Sequence, residues 1–218
     1  MPNMKNIILE QLKSEILNLT LKPGTVVSEA TLSDRFGISR TPIRDILKQL
    51  SLEGYIDIYP QRGSVVSYID LDSVEQLIFL RSTLEKEIAK TLGKNLSLKS
   101  RHELQLILAK QKDCLAKDQP LENFLALDDL YHRTLFAEAN RSFIWDMIQQ
   151  FKVHYIRYRQ LNMLSQDKLN AIYNEHQQLF NYILADNQPA VNELLELHLH
   201  SHIDSQNFLM HYSEYIRR

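Results

Sequence analysis

Four residues in the second half of the chain have the types and spacing to hold a cation. Asp128 and His132 stand four apart in "LALDDLYHRTLF", so on a helix they share a face with Leu121, Phe124 or Leu125, and Leu135. In "YNEHQQLFNYIL", His176 lies in line with Ile172, Leu179 and Ile183. The fourth comes from "LLELHLHSH", where His198, His200 and His202 alternate. At about 100° per residue this alternation does not give three equivalent ligands. His198 and His202 fall on the side of Val191, Leu194 and Leu195, whereas His200 points outward. One carboxylate with three inward imidazoles suits a divalent transition metal, because nitrogen donors favour zinc, nickel or similar ions over magnesium or calcium. Hydrogen-bonded core histidines meet the same geometry, so spacing alone leaves both readings open.

A second chemistry lies in "GISRTPIRDILKQL". Arg40, Thr41 and Arg44 fall in the first turns of a helix, opposite the stripe Ile43, Ile46, Leu47 and Leu50. The N-terminal end of the second helix of a helix-turn-helix is the part that enters the DNA major groove. An arginine fork there can donate two hydrogen bonds to guanine O6 and N7. Lys48 is one turn further on and is expected to meet the phosphate backbone. Arg62 and Gly63, in "PQRGSVV", sit at the tip of a predicted hairpin and are expected to touch a neighbouring groove.

The elements that position these residues follow from the punctuation. Gly24, Gly37, Gly54 and Gly63 all lie early and only Gly93 comes later, which divides a turn-rich first part from a long helical second part. In the first part Ile7, Ile8, Leu12, Ile16, Leu17 and Leu19 predict one amphipathic helix, and a second runs from Ser28 to Gly37. The third starts at Ser39 or Thr41, with Pro42 tolerated in its first turn. "YIDIY" and "SVVSY" alternate as two strands of a hairpin. Three helices and a β-hairpin make a winged helix-turn-helix over residues 1–69. Residues 70–218 predict an all-α bundle of about six helices, near 71–93, 97–117, 120–139, 142–162, 167–186 and 188–211, with Asp70 or Asp72 capping the first. The fold class is therefore mainly α.

Composition limits the function classes. The 218 residues carry a net charge of −2, and residues 1–69 hold eight Lys/Arg against seven Asp/Glu, so any DNA-binding surface is a local patch. No apolar run approaches the roughly 20 residues needed to span a bilayer. The N-terminus lacks the pattern of a signal peptide. The lone Cys114 excludes an internal disulfide and fits a reducing, cytoplasmic setting. There is no nucleophile elbow, HExxH helix or phosphate-binding glycine loop.

The stretch "PGTVVSEATLSDRFGISRTPIRDILKQLSLEGYI" with "QRGSVV" resembles the winged-helix domain of the GntR family of bacterial transcription regulators, in which "SRTPxR" begins the recognition helix. That resemblance gives Arg40, Thr41 and Arg44 the role of DNA contacts, with Arg62 and Gly63 on the wing. Where some relatives carry an arginine near the start of the second helix this chain has Ala30, and no contact is assigned there. The second part is similar to the helical ligand-binding domain named after FadR, in its metal-containing, VanR-like branch. The matching residues are Arg81 with Glu85, Asp128 with His132, Glu175-His176, and His198, which follows His176 by 22 residues. The resemblance implies that Asp128, His132, His176 and His198 hold the metal, with zinc expected and nickel or manganese as other candidates. It also implies that Arg81 faces an effector cavity, where Asn140 is a further candidate if it is not a helix cap.

The expected function is a homodimeric, cytoplasmic transcription regulator, most simply a repressor. It would bind a double-stranded DNA operator under the control of a small organic acid. The alternatives are a metal-dependent enzyme tethered to DNA, with Glu175 as the only nearby base, or a helical interaction protein without an effector.

Overall fold

The computed structural model describes residues 4–59, 63–117, 121–200 and 205–217. Two compact units make up the chain. The first is Met1–Val74 together with Gln150–Arg159 and Gln206–Arg218, and the second is Glu75–Gln149 with Gln160–Ser205.

In the first unit, local signals set the helix ends. Helix α1 (Met4–Leu17) buries Ile8, Leu9, Leu12 and Ile16. Ile7 stays exposed, and Leu19 lies beyond the helix in a left-handed conformation (φ 63°), so neither belongs to the predicted stripe. After strand β1 (Val26–Val27), α2 (Glu29–Phe36) starts where the Ser28 hydroxyl accepts from the Thr31 amide. It ends at Gly37 (φ 64°), a conformation that costs glycine nothing. Helix α3 (Arg40–Leu52) presents Ile43, Ile46, Leu47 and Leu50 to the core, as the sequence predicts. Strands β2 (Ile56–Tyr59) and β3 (Gly63–Val66) form the antiparallel wing, and β1 adds to the far edge of β3, giving the order β1-β3-β2. The short β1 was not predicted: two residues leave no alternation to read.

The core of this unit is completed by distant parts of the chain. Val153 joins the cluster of Ile8, Leu12, Ile46 and Ile56, and Ile69 pairs in parallel with Ile216. Arg157, fully buried, donates to Ser67 O and Ser67 Oγ at the root of the wing. Beside it the ring of His154 accepts from the Asp70 amide (3.2 Å). Burial and the adjacent Arg157 cation push the His154 imidazole down to about 4. Folded His154 thus stays neutral where the unfolded chain binds a proton. Stability should fall as pH drops from about 6.5 to about 4, by on the order of 1–3 kcal/mol after allowing for partial exposure, and then level off. Urea unfolding of the wild type and His154→Asn between pH 7 and 4 checks this. The variant should lose part of the pH dependence, and equal slopes would refute the assignment.

The second unit is built from helices α4 (Leu71–Leu92), α5 (Leu98–Ala116), α6 (Leu121–Glu138), α7 (Ser142–Gln150), α9 (Gln166–Leu184) and α10 (Gln188–His200), with α8 (Val153–Asn162) and α11 (Ser205–Tyr212) lying largely in the first. Asp70 Oδ1 accepts from the Asp72 and Ser73 amides, so of the two predicted caps it is Asp70 that caps α4. Ser97 and Ser165 cap α5 and α9 in the same way. Helix α5 packs on α6 and α9, and α9 on α10. The segment predicted as one helix over 142–162 breaks at Phe151 and Lys152. Helix α7 buries Trp145 and Ile148 while α8 buries Val153 and Arg157. Helix α8 also buries Tyr155, Tyr158 and Arg159, so it is covered nearly all round, and it belongs to the first unit up to Arg159 whereas α7 belongs largely to the second. Within the segment predicted as one helix over 188–211, the described residues form α10 up to His200 and α11 from Ser205. No described helix is long and apolar enough to cross a membrane.

Candidate metal centre and DNA-reading surface

Helix α6 carries Asp128 and His132 one turn apart, α9 carries His176 and α10 carries His198. All four side chains are buried, and one ligand atom from each lies within 4.8 Å of the others. His132 Nε2 and His198 Nε2 are 3.3 Å apart, and His176 Nε2 is 3.5 Å from Asp128 Oδ1. A cation bound at about 2.0–2.2 Å to such donors needs ligand separations of roughly this size.

The opposite edge of each imidazole faces an oxygen. His132 Nδ1 is 2.6 Å from Glu85 Oε2, His198 Nδ1 is 2.6 Å from Glu175 Oε2, and His176 Nδ1 is 3.1 Å from Gln111 Oε1. The Gln111 and Glu175 acceptors favour the Nδ1–H tautomer of His176 and His198 and turn their Nε2 lone pairs inward, while the Glu85 carboxylate lies against the Nδ1 edge of His132. Two lone pairs 3.3 Å apart repel unless something positive stands between them. The residues present therefore fit a divalent metal, and when bound it would offer Lewis-acid positions to a further oxygen ligand. Tyr131 holds the His176 ring from the side, stacked at 4.3 Å between centroids, while its hydroxyl donates to His176 O.

Arg81 is buried on α4. Its Nε donates to Glu85 Oε1 (2.8 Å), and its guanidinium carbon lies 5.7 Å from the Trp145 ring centre. Burial alone would raise the Glu85 carboxyl, but Arg81 and His132 outweigh it and hold Glu85 at about 2. Arg81, Glu85 and His132 thus form one linked row leading to the centre. Asn140 is not part of it. Exposed at the end of α6 with φ 56°, it forms the left-handed cap, and the Arg141 amide donates back to Phe136 O (2.8 Å). His200 turns away and lies 3.0 Å from Glu196 O, outside the cluster. His202 lies outside the described residues.

Sequence reasoning missed Gln111 and Tyr131, and saw in Glu85 only a partner for Arg81. Gln111 did leave a signal: it is a long polar residue set among Leu104, Ile107, Leu108 and Cys114 on the buried face of α5. Which ring it supports depends on how α5 meets α9.

On α3, Arg40, Thr41, Arg44 and Lys48 are all exposed, opposite the buried stripe. Glu29, the first residue of α2, meets Arg44 with both oxygens, at 2.7 Å to Nε and 2.8 Å to Nη2. Gly63 is exposed where β3 begins, and Arg62 lies outside the described residues.

Comparison with known proteins agrees with this two-part arrangement. The family model described as "Bacterial regulatory proteins, gntR family" matches residues 5–66, and that described as "FCD domain" matches residues 76–201. The chain is 30% identical to the HTH-type transcriptional repressor RspR of Escherichia coli over 190 residues, covering 86% of this chain and 82% of that one. It is also 30% identical over 202 residues to an HTH-type transcriptional regulator of Streptomyces ambofaciens, covering 93% of this chain and 84% of the other. Its fold is that of E. coli McbR/YncC (TM-score 0.72, 20% identity, 99% and 100% of the two chains). A GntR regulator from Rhodococcus is similarly close (TM-score 0.75, 18% identity, 95% and 98%). With a winged helix-turn-helix and an FCD domain joined in one chain, the protein belongs to the gntR family of bacterial regulatory proteins and is a DNA-binding transcriptional regulator, not an enzyme.

Proposed function

We propose that the protein is a cytoplasmic, homodimeric repressor whose grip on its operator is set by a small carboxylate held at a metal centre. The observation that carries this reading is the convergence of three Nδ1-anchored histidines and Asp128 in one buried cluster. Asp128, His132, His176 and His198 would hold a divalent transition metal, zinc by preference, with nickel or manganese as the other candidates. The effector carboxylate would bind beside it, drawn by Arg81. Residues 1–69 would read DNA through Arg40, Thr41, Arg44, Lys48, Arg62 and Gly63, and residues 70–218 would hold metal and effector and dimerise. Exposed Phe79 on α4 and Phe143 and Met147 on α7 offer apolar surface for a second copy. Two-fold symmetry then requires two half-sites in the operator. Repression is the direction because RspR is named a transcriptional repressor.

The test is operator binding by metal-loaded and chelator-treated protein titrated with a panel of small carboxylates. An effector with the usual coupling shifts operator affinity about 5- to 150-fold. The shift should vanish without metal and in Arg81→Ala. A response that survives both changes would refute the metal-centred effector site. For the DNA contacts, Arg44→Ala should cost about 1–3 kcal/mol on the operator and much less on unrelated duplex. Equal losses on both would mean that Arg44 meets only phosphate.

A further inference from the structure

We propose that Glu29 is a positioning residue for sequence readout, holding the Arg44 guanidinium by one edge so that its other edge is aimed at a base. This rests on the reading that Arg44 contacts a base edge. Glu29 opens α2, where the Ser28 cap fixes the first turn, and Arg44 lies on the exposed face of α3. The carboxylate engages Nε and Nη2 together, at 2.7 and 2.8 Å, so the guanidinium plane is held by two bonds and not one.

An arginine has five N–H donors. The pair with Glu29 occupies the side-on edge and leaves the end-on edge, with one hydrogen each from Nη1 and Nη2, for another acceptor pair. Bidentate recognition of guanine O6 and N7 requires such an edge. Charge alone would argue against an acidic residue here. The Glu29 carboxyl sits below its ordinary range because of its hydrogen bonds from Arg44 and then the charges of Arg44, Arg40 and Lys48. It is therefore an anion in the middle of the surface expected to meet phosphates. Nor does fold stability explain it, since an exposed ion pair contributes little. What the pair does provide is orientation: a long, rotamer-rich side chain is fixed before DNA arrives.

The experiment uses the full-length protein and duplexes selected from a random pool by the wild type. Affinity is then measured for the selected duplex, for variants with each half-site guanine replaced, and for a scrambled duplex. Glu29→Gln should reduce discrimination at one guanine roughly 3- to 10-fold and leave the scrambled duplex bound as well or better. Glu29→Asp keeps the charge but shortens the reach, and should lose discrimination at the same guanine. In an Arg44→Ala background neither change should alter discrimination further. If Glu29→Gln tightens all duplexes equally and Glu29→Asp behaves as wild type, Glu29 is only a repulsive charge and the proposal is overturned. If Arg44→Ala itself leaves every guanine preference intact, base reading by Arg44 fails instead, and the two failures are told apart.

Discussion

Protein with His176 replaced by alanine is expected to lose its metal, from about one equivalent per chain to a small residue, when each is purified untagged and analysed for elements. His176 is fully buried, is held by Gln111 and Tyr131, and faces Asp128 across 3.5 Å, so removing its imidazole deletes one of the four proposed ligands. His198→Ala and Asp128→Ala should act alike. The loss should also appear as stability, because a ligand present at about 1,000 times its Kd adds roughly 4 kcal/mol to the folded state. Chelator should therefore lower the melting temperature of the wild type and leave that of His176→Ala almost unchanged. Gln111→Ala keeps all four ligands but frees the His176 ring, and should weaken metal binding about 10- to 100-fold. His200→Ala is the control, since His200 bonds its own helix outside the cluster. If His200→Ala strips the metal and His198→Ala does not, the assignment of inward and outward histidines on α10 is wrong.

That distinction between His198 and His200 was legible in the sequence because it depends only on helical phase. The same holds for the α3 stripe of Ile43, Ile46, Leu47 and Leu50, and for the ends of α2, where Ser28 and Gly37 act within a few residues. Legibility fails where a residue's role is set by an element far along the chain. Glu85 reads as an i+4 partner of Arg81, and only the packing of α4 against α6 brings its second oxygen to His132. Gln111 reads as an oddity in an apolar stripe until α9 places His176 opposite it. The break at Phe151 and Lys152 is invisible to a rule that joins apolar positions by period, because buried residues continue on both sides of it while the two helices belong to different units. Glu29 was passed over for a similar reason. Its neighbour Ala30 drew attention as a missing contact, while the carboxylate's partner lies 15 residues on.

Arg157→Ala is expected to destabilise the DNA-binding unit by about 3–5 kcal/mol, combining a large buried void with acceptors left unmatched. Arg157 is fully buried, and its guanidinium serves Val153 O (3.1 Å), Ser67 O (2.5 Å) and Ser67 Oγ (3.0 Å). Ser67 follows the second wing strand directly, and its hydroxyl lies 2.8 Å from Gly54 O and 3.1 Å from Tyr55 O, where the first wing strand begins. One side chain from α8 thus ties both roots of the wing. Burial holds the guanidinium down at about 10, so the site carries a desolvation cost that its hydrogen bonds must offset. Arg157→Met fills the volume and removes that cost, leaving mainly the Ser67 acceptors unmatched, and should lose only about 1–3 kcal/mol. Arg157→Ala should accordingly lower the urea midpoint and operator affinity while the metal content of the folded protein stays at the wild-type level. The same reasoning applies to a fragment ending at residue 69. It would keep every proposed DNA contact yet lack Arg157, Val153 and the Ile216 pairing of Ile69. Such a fragment should be largely unfolded by amide exchange, and one that folded with the stability of the whole protein would show that the wing root does not need α8.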